Sequence, residues 1–202
     1  MEKIPTLFLK IYDGHKLTGI TREVRKGMEW VLEGKGQATI KMDGQCCAKL
    51  NGRYWRRYDA KPGRVPPEGA IPCGERDKMT GHWPHWVKIN LMNPQPGDRW
   101  LAEAIMRYAA QMAFCGEKVP EGTYEAIGPH FNSNPYGLEK DTLARHGQVL
   151  VEVERSFEGI RRWLEENEEE GLVFWLDGKP RCKIRREDFG LEWPIKRGEE
   201  KA

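Results

Sequence analysis

The 202 residues, 32% charged and 39% hydrophobic, are enough for one domain to bury a core without disulfide or metal staples. Net charge is only +2, which removes any global pull toward nucleic acid, and no apolar run approaches the roughly 20 residues of a spanning helix, which excludes a helical membrane protein. The N-terminal MEKIPTLFLKIYDG is too interrupted for a secretory signal and the five cysteines show no CxxC spacing, so a reducing cytoplasmic setting with free thiols is expected.

In chain order, the pattern predicts strands over Thr6 to Tyr12, Gln37 to Met42, Gln45 to Leu50 and Arg53 to Asp59. Asp43-Gly44 and Asn51-Gly52 between them read as tight turns joining antiparallel neighbours. Residues 61 to 97 are rich in Pro and Gly and read as extended loops around one short strand, Trp86 to Ile89. A helix follows in DRWLAEAIMRYAAQMAF, where Trp100, Leu101, Ala104, Ile105, Tyr108 and Met112 return to one face, with Asp98 as a cap and Gly116 past the end. Strands are predicted over Gly122 to Ile127 and Gln148 to Glu154, and a second helix over Phe157 to Glu166 buries Phe157, Ile160, Trp163 and Leu164. Gly171 to Trp175 and Pro180 to Ile184 close the set as a hairpin across Asp177-Gly178. The expected class is α+β, one domain over residues 1–202, with antiparallel sheets flanked by helices.

Charge is unevenly spread. Residues 41 to 64 carry Lys41, Lys49, Arg53, Arg56, Arg57, Lys61 and Arg64 against only Asp43 and Asp59, interleaved with Tyr54, Trp55 and Tyr58. A basic aromatic stripe on a balanced protein fits a phosphate-rich ligand. Glu165, Glu166, Glu168, Glu169 and Glu170 form an opposing acidic run. Cys73 with His82 and His85 makes a conceivable zinc set that lacks a fourth ligand, and free thiols packed as small apolar groups are the plainer reading.

The sharpest motif is Lys41-Met42-Asp43-Gly44 at the end of the strand ATIK. A lysine amine is a nucleophile only when deprotonated, which neighbouring cations favour; an acidic neighbour can hold a metal ion or a proton. The glycine would permit the tight turn that presents the lysine. Further along come Tyr124-Glu125 at a strand, Glu170-Gly171-Leu172-Val173-Phe174, and Lys183-Ile184-Arg185.

This order resembles the covalent nucleotidyltransferase superfamily of ATP-dependent ligases and capping enzymes. KMDGQCC, WRRYDAKP, GHWPHWV, YEAIGPHFNSNPYGL and EGLVFWLDGKPRCKIRREDFGLEWPI together resemble the small 5′–3′ RNA ligase family of vertebrates, phages and bacteria, over about residues 24 to 195. Sixteen residues follow Arg186, too few for the OB-fold domain of DNA ligases and capping enzymes, so a nucleotidyltransferase domain with no OB-fold is expected.

The resemblance implies that Lys41 attacks the α-phosphorus of ATP and forms a lysyl-adenylate. AMP then passes to an RNA 5′-phosphate, and a 3′-hydroxyl displaces it to join the ends. It implies Mg²⁺, for which Mn²⁺ could substitute, held by Glu170 and Asp43; Glu170 would alternatively help deprotonate Lys41, and Asp43 would alternatively cap its own turn. Lys183 would hold the α-phosphate. Arg185 stands where the family often has a second lysine, and arginine is not its equivalent. Arg57 and Lys61 would meet polyphosphate or RNA ends, and Glu125 the ribose. Val173 would be one wall for the adenine, with Tyr136 or Phe131 the other. Two further readings compete: a DNA nick ligase or other AMP-transferring enzyme, and a non-catalytic nucleic-acid binding module that would survive loss of Lys41.

Overall fold

In the computed structural model, which describes residues 3–14, 16–78 and 80–195, β-branched and aromatic runs bounded by glycine turns form strands, and two segments of helical period form helices. In chain order these are β1 (Phe8–Asp13), β2 (Lys16–Val24), β3 (Gln37–Lys41), β4 (Gln45–Leu50), β5 (Arg53–Ala60), β6 (Ile71–Pro72) and β7 (Trp83–Lys88). Then come α1 (Arg99–Phe114), β8 (Gly122–Ile127), β9 (Thr142–Arg145), β10 (Leu150–Val151), α2 (Phe157–Glu166), β11 (Gly171–Leu176) and β12 (Lys179–Arg185). The class is α+β, and the strands within each sheet pair antiparallel.

The chain divides into two compact units, one of Asp43–His146 with Lys3, the other of Ile4–Met42 with residues 147–195. The first is built on a six-stranded sheet of order β6-β7-β5-β4-β8-β9. Alternation along β4 and β8 sends Cys47, Tyr124 and Ala126 into one core with Leu101, Ala104 and Ile105 of α1. Ala48, Trp55 and Trp86 cluster separately, with Cys46 and Leu50 packed against them. Asp98 does not cap α1 with its side chain; its carboxylate instead pairs with Arg56 Nε at 2.7 Å. Trp100 is 38% exposed rather than core, and its ring stacks on His130 at 3.5 Å.

The second unit holds a four-stranded sheet of order β10-β3-β11-β12 and the β1-β2 ribbon. Ala38, Leu172, Phe174, Cys182 and Ile184 pack with Ile160 and Leu164 of α2. Ser156 caps α2 by accepting from Gly159 N–H at 2.9 Å. The strand expected over Thr6 to Tyr12 is split: Thr6 bridges Lys183, and pairing with β2 begins only at Phe8. Only Leu150–Val151 of the expected Gln148 to Glu154 strand pairs, and β2, β6 and β9 lie where no strand was expected.

Asn51-Gly52 and Asp177-Gly178 turn the β4-β5 and β11-β12 hairpins, with φ of 51° and 71°, and 52° and 68°. Asp43-Gly44 does not: β3 and β4 belong to different sheets, so the expected antiparallel neighbours never pair. Gly44 carries no left-handed φ, and its need for glycine comes from the backbone carbonyl of Ala126, which an added Cβ would overlap.

Candidate functional site

Lys41 ends β3, and its register partner is Gly171, which opens β11. Val173 pairs with Thr39 on one side and Lys183 on the other, while Gly171 pairs with Arg185. With period two, Thr39, Lys41, Val173, Lys183 and Arg185 therefore share the sheet face opposite Ala38, Leu172, Phe174 and Ile184. Three segments distant in sequence are thus aligned by register alone.

Glu170 lies one residue before β11, anchored where its carbonyl accepts from Arg186 N–H at 2.9 Å. Its Oε2 accepts a short hydrogen bond from Lys41 Nζ, and the two side chains are 9% and 21% exposed. At that burial little water screens the pair, so each charge depends strongly on its partner. Lys183 is pushed down to about 8, first by burial and then by the cations Lys41, Arg185 and Lys10, with Glu170 opposing. An amine beside other amines and one carboxylate is the electrostatic setting that makes lysine deprotonation accessible near neutrality.

Arg185 is tied down by acids: its guanidinium pairs with Glu187, and its backbone N–H donates to Asp188 Oδ2 at 2.9 Å. Asp188 is fully buried and also pairs with Lys10 at 3.1 Å.

In the six-stranded unit, Asp43 Oδ1 accepts from Asn132 Nδ2 at 2.7 Å, and Asp43 N–H donates to Tyr136 Oη at 2.7 Å. Asn132 also donates to Gly44 O at 3.1 Å, so the loop of residues 132–136 braces Asp43-Gly44, the second half of the Lys41–Gly44 motif. Asn132, Ser133 and Asn134 run at φ of 43°, 60° and 52°, three left-handed residues without glycine. Of the two aromatics considered for the adenine, Phe131 is 5% exposed and belongs to the α1 core.

Glu125 on β8 faces Cys46 across the β4-β8 ladder. Its Oε2 lies 2.9 Å from His146 Nε2, whose Nδ1 is 2.9 Å from Thr123 Oγ1. Burial pushes the Cys46 thiol up to about 12, reinforced by the Glu125 carboxylate and opposed by Arg57. Arg57 Nε donates to Asp59 Oδ1 at 3.0 Å and lines a charged hollow with Arg76, Asp77 and His82. Lys61 is exposed beyond β5. Cys73, His82 and His85 do not form the zinc set weighed from the sequence: His85 is 2% exposed with Nδ1 2.9 Å from Trp83 O, and among the described residues a different trio reaches ligand range.

Sequence reasoning missed Asn132 as the partner of Asp43, and His146 with Cys46 as the neighbours of Glu125. Asn132 and Asn134 in FNSNPYG read from the sequence equally as turn residues or ligands, and both lie in a left-handed turn. Nothing in sequence spacing joins residues 46, 125 and 146.

No family model matches the chain. It is 27% identical to RNA ligase 1 of Danio rerio over a stretch that covers 78% of this chain and 68% of that protein. RNA ligase 1 of Rattus norvegicus and that of Mus musculus are each 25% identical, with the same shares covered. The chain is thus distantly related, over most of its length, to these vertebrate proteins.

Proposed function

We propose that this chain is an ATP-dependent RNA ligase working through a covalent lysyl-AMP. The observation that carries the reading is the Lys41–Glu170 pair, with Lys183 on the same sheet face and its amine depressed first by burial and then by neighbouring cations. The named relatives supply the class of acceptor. In the first step the Lys41 amine attacks the α-phosphorus of ATP; an N–P bond forms, the P–O bond to pyrophosphate breaks, and the amine proton passes to Glu170. Lys183 offsets negative charge on the α-phosphate as it is transferred. An oxygen of an RNA 5′-phosphate next takes the AMP and frees the amine, and a 3′-hydroxyl then displaces AMP to close the phosphodiester. Val173 is assigned to one face of the adenine.

The donors fit a hard cation: Glu170 offers carboxylate oxygen, the ligand type Mg²⁺ takes, and when bound the ion neutralises polyphosphate charge. Arg57 and Lys61 are assigned to RNA phosphates.

The test is incubation of the full chain with α-labelled ATP and Mg²⁺, after mass measurement shows that it is not already adenylated. Label should survive denaturation on the wild type and be missing from Lys41→Ala. A labelled chain that then seals 5′-phosphorylated RNA meets the reading, whereas one that seals only nicked DNA moves it to a DNA ligase. Absence of label on the folded wild type would sink the covalent mechanism and favour a binding module.

A further inference from the structure

Outside the lysine-centred set, the six-stranded sheet carries a cluster in which Cys46 and His146 have no part in the ligase chemistry and only Glu125 is shared with it. Cys46 Sγ, a Glu125 carboxylate oxygen and a His146 ring nitrogen all lie within 4.8 Å of one another. They come from three places in the fold: β4, its register neighbour on β8, and the residue just past β9. We propose that Cys46, Glu125 and His146 form a binding site for a borderline divalent cation of the Zn²⁺ class.

Three features of the cluster argue for this. The donors are sulfur, imidazole nitrogen and carboxylate oxygen, a set that selects Zn²⁺ or Co²⁺ over Mg²⁺ or Ca²⁺. Their spread is close to what one ion needs: bonds of about 2.0–2.3 Å put ligand atoms roughly 3.3–3.8 Å apart. The 2.9 Å between Glu125 Oε2 and His146 Nε2 has only to open slightly, and the thiol to swing inward. The outer partner is also in place. His146 Nδ1 sits 2.9 Å from Thr123 Oγ1, so with Nδ1–H donating to that hydroxyl the Nε2 lone pair is presented to the ion.

The side chains of His146 and Glu125 are 14% and 12% exposed, so bulk water competes little. Binding exchanges the thiol proton for the metal, leaving thiolate and carboxylate to balance a dication, with Arg57 the cation facing the sulfur. Three protein donors leave a fourth position for water, which is the open rather than the closed kind of zinc site. A ribose held by Glu125, as the resemblance implies, would compete with the metal for that carboxylate.

The experiment strips the full chain with a chelator, titrates it with Co²⁺, and reads the thiolate-to-cobalt charge-transfer absorbance, followed by displacement with Zn²⁺. It reads the cluster whether or not Lys41 accepts AMP, so either reading can fail without the other. One Co²⁺ per chain with a thiolate band is expected, lost in Cys46→Ser and in His146→Ala and kept in Cys115→Ser, whose thiol is exposed. Thr123→Val should retain the band with affinity weakened roughly tenfold. Absence of the band in the wild type, or its persistence unchanged in either Cys46→Ser or His146→Ala, overturns the site.

Discussion

The Lys183 amine shows how the site's charges talk to one another. It is lowered from an ordinary value near 10.5 to about 8, chiefly by burial and then by the cations Lys41 and Arg185, with Glu170 opposing. Removing one neighbour should therefore move it in a known direction. In Lys41→Gln the Lys183 pKa should rise, because a cation is gone and Glu170 has lost its other partner; in Glu170→Gln it should fall below about 8. Methyl resonances of reductively dimethylated lysines, followed against pH, read both shifts, and equal values in all three proteins would refute the coupling. The same depression sets a sign for stability. Between about 8 and the unfolded value the folded state has already released a proton that the unfolded chain still holds, so this group makes folding more favourable as pH rises through that window. Below about 8 both states are protonated and the cost of charging a buried amine is fully present.

At the scale of elements, two identical-looking signals had different causes. Asn51-Gly52 and Asp177-Gly178 were legible because a left-handed turn is a local property of the dipeptide, and both make the hairpins predicted of them. Asp43-Gly44 carries the same letters, yet its glycine answers to Ala126, a residue of β8 that sequence proximity does not reveal. Gly44→Ala should accordingly cost about 1–3 kcal/mol in urea unfolding, since rigid backbone rather than a yielding side chain blocks the methyl. Gly178→Ala, where open space surrounds the Cβ and only φ objects, should cost about 1–2 kcal/mol. A Gly44→Ala midpoint equal to wild type would contradict the close approach. The shared face of Lys41, Val173 and Lys183 comes from pairing register, so only the family resemblance linked these residues beforehand, whereas α2 runs over the expected residues because its apolar spacing and Ser156 cap are local. β2 escaped because Lys, Arg, Glu and Gly break its pattern, β9 because four residues are too few to show a period. The Glu125–His146–Cys46 grouping escaped because it exists only through strand register.

For the whole molecule, electrostatics is a matter of distribution rather than sum. A net charge of +2 gives no long-range attraction for a polyanion, and the exposed Glu165, Glu166 and Glu168 at and after the end of α2 repel one. No helix among the described residues is long and apolar enough to cross a membrane. Under the proposed function, RNA affinity is expected to draw on the cations concentrated between residues 41 and 64, of which Lys61 and Arg64 are exposed and lie outside the strands. Each single-stranded phosphate contact contributes about 0.7 to the slope of log affinity against log salt. Lys61→Glu with Arg64→Glu should therefore weaken binding to a 5′-phosphorylated RNA and lower that slope by up to ~1.4. Lys179→Glu, an exposed charge at the start of β12, should leave both unchanged. Lysyl-AMP formation should persist in the double variant, because the proposed function assigns Lys61 to RNA phosphates and gives Arg64 no contact with the nucleotide. Fluorescence anisotropy across a salt series separates the outcomes. An unaltered slope in the double variant, or a loss as large in Lys179→Glu, would place the RNA elsewhere on the surface.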